Sequence, residues 1–197
     1  SGADQFLGLA RDRVVGVADW KSDNVFALGT KQGIVKRFAG PFPDRDETTV
    51  IALKDNDSIV GFAEATDSSE LCFVTSTANL LVFPASSVRP QGLAAGGMQG
   101  ISTGDSSVIA FGPISEDAHL ITVANDSQAL GATDPGSLKV TPLSAYPRKG
   151  RATQGVRCHR FLKGEDQLYF AGWAGTAPTI IDSEGVQIAA PEADQRR

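Results

Sequence analysis

The chain has 197 residues, enough for one all-β domain or two small ones with a substantial buried core. Its hydrophobic share of 41%, charged share of 21% and formal net charge of −5 are ordinary for a soluble protein and argue against indiscriminate binding of nucleic acid. No segment approaches the roughly 18 apolar residues of a membrane span, and the N-terminus has no signal-peptide pattern. We therefore expect a cytoplasmic protein with no membrane partner.

Short apolar segments alternate with turn residues along the whole chain, and no amphipathic helix is evident. Turn signals such as Lys31-Gln32-Gly33 and Ser183-Glu184-Gly185 separate these segments. In chain order, the predicted strands are 14–20, 25–30, 34–38, 50–54, 59–65, 71–76, 80–88, 108–114, 120–125, 138–143, 156–162, 168–173, 179–182 and 186–189. Short strands at this spacing indicate a sandwich, a barrel or a propeller.

Internal repeats favour the propeller among these three architectures. Residues 27–30 resemble 73–76, residues 71–74 resemble 120–123, and residues 120–123 resemble 168–171, a period of about 48 residues. We therefore predict a single all-β domain over 1–197, with repeats starting near 25, 71, 120 and 168 and a charged tail at 190–197. The expected architecture is a propeller-like disc of about four four-stranded blades.

Cysteine and histidine are too sparse to indicate a metal site. Cys72 and Cys158 lack the CxxC spacing of zinc ligands, and buried free thiols suit a reducing cytoplasm better than a disulfide does. A nucleophile pair of Cys158 and His159 is disfavoured, because neighbours on a strand point to opposite faces. We expect no metal, no cofactor and no catalytic residue.

Charge is distributed unevenly along the chain. Residues 138–163 hold seven of the 18 basic residues, and no Asp or Glu lies between Asp134 and Glu165. A nearly neutral copy of this region exists, because 91–98 resembles 149–156. The acidic residues concentrate elsewhere, at Asp44, Asp46, Glu47, Asp55, Asp57, Glu64, Asp67 and Glu70. We expect one basic arc and one acidic arc, with Lys36 and Lys139 emerging at equivalent edges of their blades.

Five motifs together resemble a known family. They are GTKQGIVKR at 29–37, RPQG at 89–92, AGGM at 95–98, YPRKGRATQGV at 146–156 and RCHRFLKGED at 157–166. They resemble the C-terminal domain of the A subunit of bacterial type IIA topoisomerases, the family of DNA gyrase and topoisomerase IV. The similarity covers about 25–188 and is greatest to the topoisomerase IV A subunit of actinobacteria.

This resemblance implies a β-pinwheel whose blades exchange strands, with double-stranded DNA bound around a basic perimeter and guided to the catalytic core. It also implies, as partners, the ATPase B subunit together with the rest of the A subunit, and it implies a nucleoid-associated location. The wrapping signature of gyrase, a Gln-Arg-Arg-Gly-Gly-Lys-Gly-like loop, is absent, and the expected blades are fewer than in gyrase. Both departures favour topoisomerase IV.

The candidate DNA-binding residues are Lys36, Arg37, Arg89, Lys139, Arg148, Lys149, Arg151 and Arg157. Clustered cations bind phosphates and release counterions, whereas glycine-rich loops present no reading helix, so we expect backbone contacts with weak sequence preference. The prediction requires that the 148–151 loop face outwards and that neighbouring carboxylates do not hold its arginines.

Other functions remain open at this level. A protein-binding propeller would use the acidic arc around 44–47, and a gyrase-type domain would wrap DNA. A propeller enzyme ranks last, because no convergent set of polar residues is visible. No Walker loop follows Gly96 and Gly97, and we predict no activity for the isolated chain.

Overall fold

A computed structural model describes residues 14–19, 23–45, 47–128, 136–176 and 178–193. Within these residues it contains short strands and two single 3₁₀ turns, but no α-helix. The strands are β1 (Val25–Thr30), β2 (Ile34–Ala39), β3 (Ile59–Glu64), β4 (Glu70–Thr75), β5 (Asn79–Pro84), β6 (Met98–Gln99), β7 (Val108–Ile114), β8 (His119–Asn125), β9 (Leu138–Pro142), β10 (Val156–Arg157), β11 (Gln167–Ala174), β12 (Ile180–Ile181) and β13 (Gln187–Ile188). The 3₁₀ turns are Ala85–Ser87 and Leu143–Ala145. The predicted all-β class is confirmed.

The strands form antiparallel sheets that correspond to blades. Blade one has the strand order β3-β1-β2-β6, blade two β10-β5-β4-β7 and blade three β11-β8-β9. A fourth, two-stranded sheet consists of β12 and β13. Each of the first three sheets contains a hairpin of consecutive strands, namely β1-β2, β4-β5 or β8-β9.

Neighbouring blades exchange strands. β6 follows β5 in the chain but pairs with β2 of blade one, and β10 follows β9 but pairs with β5 of blade two. The edge strand β6 of blade one therefore follows the β4-β5 hairpin of blade two in the chain. The edge strand β10 of blade two likewise follows the β8-β9 hairpin of blade three. This exchange is the β-pinwheel arrangement that the resemblance implied.

The structure departs from the predicted strands in several places. Residues 14–19 and 50–54 form no strand, and the predicted strand at 156–162 is reduced to the two residues of β10. β11, which begins near the predicted start of a fourth repeat, pairs with β8 as the third strand of blade three. The first and third strands of a blade are both apolar, so a sequence comparison does not distinguish them.

The hairpins of blades one and two have the same kind of turn. The Oγ1 atoms of Thr30 and Thr75 accept hydrogen bonds from the backbone N–H groups of Ile34 and Asn79, both at 3.1 Å. Gly33 has φ +86° at this turn, a conformation in which glycine avoids the Cβ penalty. A Cβ at Gly33 would also overlap the carbonyl oxygen of Ile101, which lies two residues after the end of β6.

Blades one and two pack directly against each other through Phe111 of β7. A Cβ at Gly29 would overlap its ring, and one at Gly61 would overlap its carbonyl oxygen. The ring lies 4.6 Å from that of Phe73, and both belong to a buried cluster that includes Ala27 of blade one. Small residues on one blade thus admit an aromatic side chain from the next, and burial of this apolar surface stabilises the pair.

No helix among the described residues is long and apolar enough to cross a membrane.

Candidate nucleic-acid interface

Lys36 does not emerge at a blade edge, as the sequence predicted. Its side chain is buried, and its ammonium donates to the carbonyl oxygens of Val50, Leu93 and Ala95 at 2.7, 2.8 and 2.8 Å. Burial lowers its pKa below the ordinary value. The expected position of Lys36 at a blade edge is therefore wrong, and an ammonium enclosed by protein carbonyls is not available to a phosphate.

Arg37 is also buried, with 1% of its surface exposed. Its Nη1 donates to the carbonyl oxygens of Ala85 and Val88 at 3.0 and 3.1 Å, and its Nη2 donates to the Ala65 carbonyl at 3.3 Å. Nη2 also lies 2.7 Å from a carboxylate oxygen of Asp67. The guanidinium therefore holds the first 3₁₀ turn in place and does not lie at the surface, where the sequence predicted it.

Both residues were misassigned for the same reason. The sequence predicted both charged side chains at the surface. β2, however, lies between β1 and β6 and is covered on both faces. Lys36 and Lys139 do occupy equivalent places in their hairpins, opposite Leu28 and Thr122, but Lys139 is only half-buried.

Arg148 is held by a carboxylate. Its Nε and Nη2 donate to the two carboxylate oxygens of Glu70, at 2.8 and 2.6 Å, across 78 residues of sequence. Its Nη1 donates to the carbonyl oxygens of Leu143 and Tyr146 at 3.0 and 3.1 Å. The guanidinium holds the pKa of the Glu70 carboxyl below its ordinary value. DNA binding by the 148–151 loop was expected to require that no carboxylate hold its arginines. Arg148 does not meet this requirement, because Glu70 holds it.

Arg37 and Arg148 have the same structural role in successive blades. Each directs Nη1 at two carbonyl oxygens that bracket a 3₁₀ turn after a hairpin, and each pairs with a carboxylate. They occupy different positions in the repeat, because Arg37 lies on β2 whereas Arg148 lies in the loop after the turn that it holds. Two of the predicted phosphate-binding residues thus stabilise connections between blades.

Arg151 links its loop to β6 of blade one. Its Nη1 donates to the Gln99 carbonyl at 2.7 Å, and its Nε donates to the Ser87 carbonyl at 3.3 Å. The backbone bridge between Ile101 and Thr153 continues this contact. The side chain remains half-buried, so part of its charge reaches the surface.

Arg89, Lys149 and Arg157 are exposed. In the described part of the chain, no side-chain hydrogen bond or ion pair holds them. The Lys149 N–H donates to the Val82 carbonyl of β5 at 3.0 Å, and Arg157 lies opposite Asn79 of the same strand. Arg89 follows the first 3₁₀ turn, two residues after the carbonyl that accepts from Arg151. Lys149 and Arg157 therefore lie along the same side of β5, and Arg89 lies in the loop that follows this strand and its 3₁₀ turn.

The acidic arc is less separate from the basic arc than the sequence indicated. Glu70 and Asp67 each pair with an arginine, and Asp57 accepts hydrogen bonds from the backbone N–H groups of Gln32 and Ser58. Asp46 lies outside the described residues. We define the rim patch as Arg89, Lys149, Arg151 and Arg157. Glu70 pairs with Arg148, which precedes Lys149 in the chain.

His159 occupies a buried polar site between blades two and three. Its Nδ1 lies 2.8 Å from the hydroxyl of Thr122 and its Nε2 lies 2.9 Å from the hydroxyl of Ser137. Burial lowers its pKa; the Glu165 carboxylate opposes this shift and the Lys139 ammonium adds to it. The ring links the segment after β10 to the β8-β9 hairpin, and it is best accommodated when neutral.

This burial predicts a pH dependence of stability. Because the pKa of His159 is lowered in the folded state, the unfolded chain binds more protons at pH values between the folded-state pKa and 6.5. The free energy of unfolding should therefore fall as pH is lowered through this window, and His159→Gln should reduce the fall. Urea unfolding at several pH values measures both. Identical pH profiles for the two proteins would refute the prediction.

Both cysteines are free and buried. Burial raises the pKa of the Cys158 thiol to about 12, so this thiol is not nucleophilic. Among the described residues, no group of three or more histidine, cysteine, aspartate or glutamate side chains is arranged to hold a metal ion.

Comparison of the sequence with known proteins identifies relatives of this chain. The sequence model of the family described as "DNA gyrase C-terminal domain, beta-propeller" matches residues 69–124 and 130–168. The A subunit of DNA gyrase from Staphylococcus aureus (strain MRSA252) is 28% identical over 178 residues. The match covers 82% of this chain and 19% of the relative, so the chain spans about a fifth of its length. The same protein from strain COL matches equally well.

Solved structures share the fold. A crystal structure of the C-terminal domain of DNA topoisomerase IV has a TM-score of 0.75 at 20% identity, covering 94% of this chain and 58% of that one. A C-terminal domain of DNA gyrase A has a TM-score of 0.64 at 17% identity, covering 82% and 52%. The C-terminal domain of Escherichia coli ParC has a TM-score of 0.63 at 14% identity, covering 85% and 69%. The chain therefore shares the β-pinwheel fold of these C-terminal domains of DNA topoisomerase IV and DNA gyrase A.

Proposed function

We propose that this chain is a non-catalytic DNA-binding domain of a type II topoisomerase A subunit. It binds duplex DNA through phosphates and guides or bends the segment that is presented to the cleavage core during relaxation or decatenation. Its partners in the intact cytoplasmic enzyme are the ATPase B subunit, together with the catalytic part of the A subunit. The sequence similarity to gyrase A subunits supports the enzyme class, and the rim patch supports the role.

One observation carries the proposal: two exposed cations of the rim patch, Lys149 and Arg157, lie along the same side of β5. Lys149 and Arg157 are fixed opposite Val82 and Asn79 of β5, three residues apart, which is about 10 Å along a strand. Duplex DNA carries about one charge per 1.7 Å of its axis, so an edge of this length faces several phosphates. Phosphate contacts of this kind position the duplex without reading its sequence.

The extent of the patch favours guidance over wrapping. The chain carries a net charge of −5, and Lys36, Arg37 and Arg148 are occupied within the fold. A duplex therefore meets cations over a limited arc, which supports the topoisomerase IV type of domain rather than the gyrase type. Any sequence preference arises from the bendability of the DNA.

A salt series tests the proposal. Replacing Arg89, Lys149 and Arg157 together by glutamine should reduce the slope of log K against log salt by about 2–3, because each lost phosphate contact removes about 0.9. Filter binding of a linear duplex measures the slope. A topology assay on closed circular DNA should show binding without writhe.

The matched control is the double variant Lys31→Gln, Lys54→Gln, which removes exposed cations from blade one and its following loop. It should leave the slope close to that of the unaltered protein. Equal losses in both variants would show that binding does not depend on the rim patch. Absence of any DNA affinity at low salt would contradict the DNA-binding role itself and favour a protein-binding scaffold.

A further inference from the structure

We propose that the guanidinium of Arg148 is a phosphate site that Glu70 keeps closed, so that a DNA phosphate and the Glu70 carboxylate compete for the same two N–H donors. This inference rests on the proposed function and adds an autoinhibitory contact to it. Glu70 lies at the start of β4, and Arg148 lies beside Lys149 of the rim patch.

The donor geometry suits either anion. Nε and Nη2 of Arg148 bind the two Glu70 oxygens in parallel, at 2.8 and 2.6 Å. A phosphate presents two oxygens that accept the same pair of bonds, and arginine is the side chain whose planar fork matches both groups. Exchanging one anion for the other therefore needs no change in the guanidinium.

The rest of the guanidinium is already fixed. Nη1 is bound to the carbonyl oxygens of Leu143 and Tyr146, which hold the plane of the group independently of Glu70. Little rotamer entropy remains to be lost when a phosphate binds, and preorganisation of this kind improves affinity. The fork is also accessible, because 32% of the Arg148 side chain and 33% of the Glu70 side chain are exposed.

The corresponding arginine of the first 3₁₀ turn provides the contrast. Arg37 makes the same kind of carbonyl contacts and pairs with Asp67, but 2% of its side chain is exposed while 80% of the Asp67 side chain is. Removing the Asp67 charge leaves a guanidinium that DNA does not reach. Of these two arginine–carboxylate pairs, the Arg148 pair alone is exposed on its cationic side.

Glu70→Gln tests the competition. Glutamine keeps the shape of the side chain but removes its charge, so Arg148 becomes available to one more phosphate. The slope of log K against log salt should become steeper by about 0.9, which corresponds to about eightfold tighter DNA binding at about 0.1 M salt. The second variant, Glu70→Gln with Arg148→Met, should lose this gain.

Asp67→Asn is the matched control and should bind DNA with the slope of the unaltered protein. A direct measurement on the unaltered protein uses the ¹⁵N–¹H signal of Arg148 Nε, which should shift when a short duplex is added. An unchanged slope in folded Glu70→Gln, or an unchanged Nε signal under saturating DNA, would overturn the competition. In that case the rim-patch variants would still report DNA binding by the unaltered protein, so the two proposals fail separately.

Discussion

Replacing Arg37 by methionine is expected to lower the free energy of unfolding by about 3 kcal/mol, because it leaves buried backbone acceptors without donors. The guanidinium satisfies the carbonyl oxygens of Ala85, Val88 and Ala65, which belong to segments on either side of β4 and β5. Methionine fills much of the space but donates no hydrogen bond. Urea unfolding followed by circular dichroism measures the loss.

Two variants separate the hydrogen bonds of Arg37 from its ion pair. Asp67→Asn should change stability by less than about 1 kcal/mol, since the Asp67 side chain is 80% exposed and solvent-exposed ion pairs contribute little. Arg37→Lys should remain destabilised, because one ammonium does not reproduce the planar arrangement of donors. If Arg37→Met and Asp67→Asn cost the same, the carbonyl contacts do not determine the stability of this turn.

Replacing Gly155 by alanine is expected to cost about 3 kcal/mol and to loosen β10 from β5. Gly155 has φ +74°, and a Cβ there would overlap the carbonyl oxygen of Leu80, the residue that faces Val156 in the exchanged pair. The backbone would therefore have to move away from β5. The free energy of unfolding and the hydrogen-exchange rate of the Val156 amide both report this change.

Two other glycines supply graded controls. Gly164 has φ +94° with open space where a Cβ would lie, so Gly164→Ala should cost about 1 kcal/mol from the backbone conformation alone. Gly150 also has open space and is not among the positive-φ residues, so Gly150→Ala should be close to neutral. Equal costs at Gly155 and Gly164 would show that the Leu80 carbonyl exerts no constraint.

Local sequence patterns predicted the hairpins well, because a hairpin brings neighbouring residues together. β1, β2 and β4 lie within a residue or so of their predicted positions, and the similarity of 91–98 to 149–156 corresponds to two loops that precede exchanged strands. The equivalence is visible in the backbone, since the N–H groups of Gln91 and Lys149 donate to Arg37 and Val82.

Strand exchange was expected from the family resemblance and not from the residues themselves. β6 and β10 contain two residues each, too few for an apolar alternation to be recognised. Their partners lie across an intervening hairpin, and such pairing depends on the packing of whole blades. The same two-residue length explains why the predicted strand at 156–162 was too long.

The candidate site was predicted less well, because charge in a sequence does not report burial. Lys36 and Arg37 lie between Val35 and Phe38 in a central strand, and an apolar residue on each side was the available signal of two-sided burial. Nothing local to Arg148 indicates Glu70, which is 78 residues away. Exposed Lys149 and Arg157 agree with the expected surface position, while their contact with DNA remains a proposal.

The exchanged strand also has a mechanical consequence. Arg157 lies on β10, whose chain comes from beyond the hairpin of blade three but whose hydrogen bonds belong to blade two. Under the proposed function, a pull transmitted through Arg157 is therefore shared by two sheets at once, and no single blade bears that load alone.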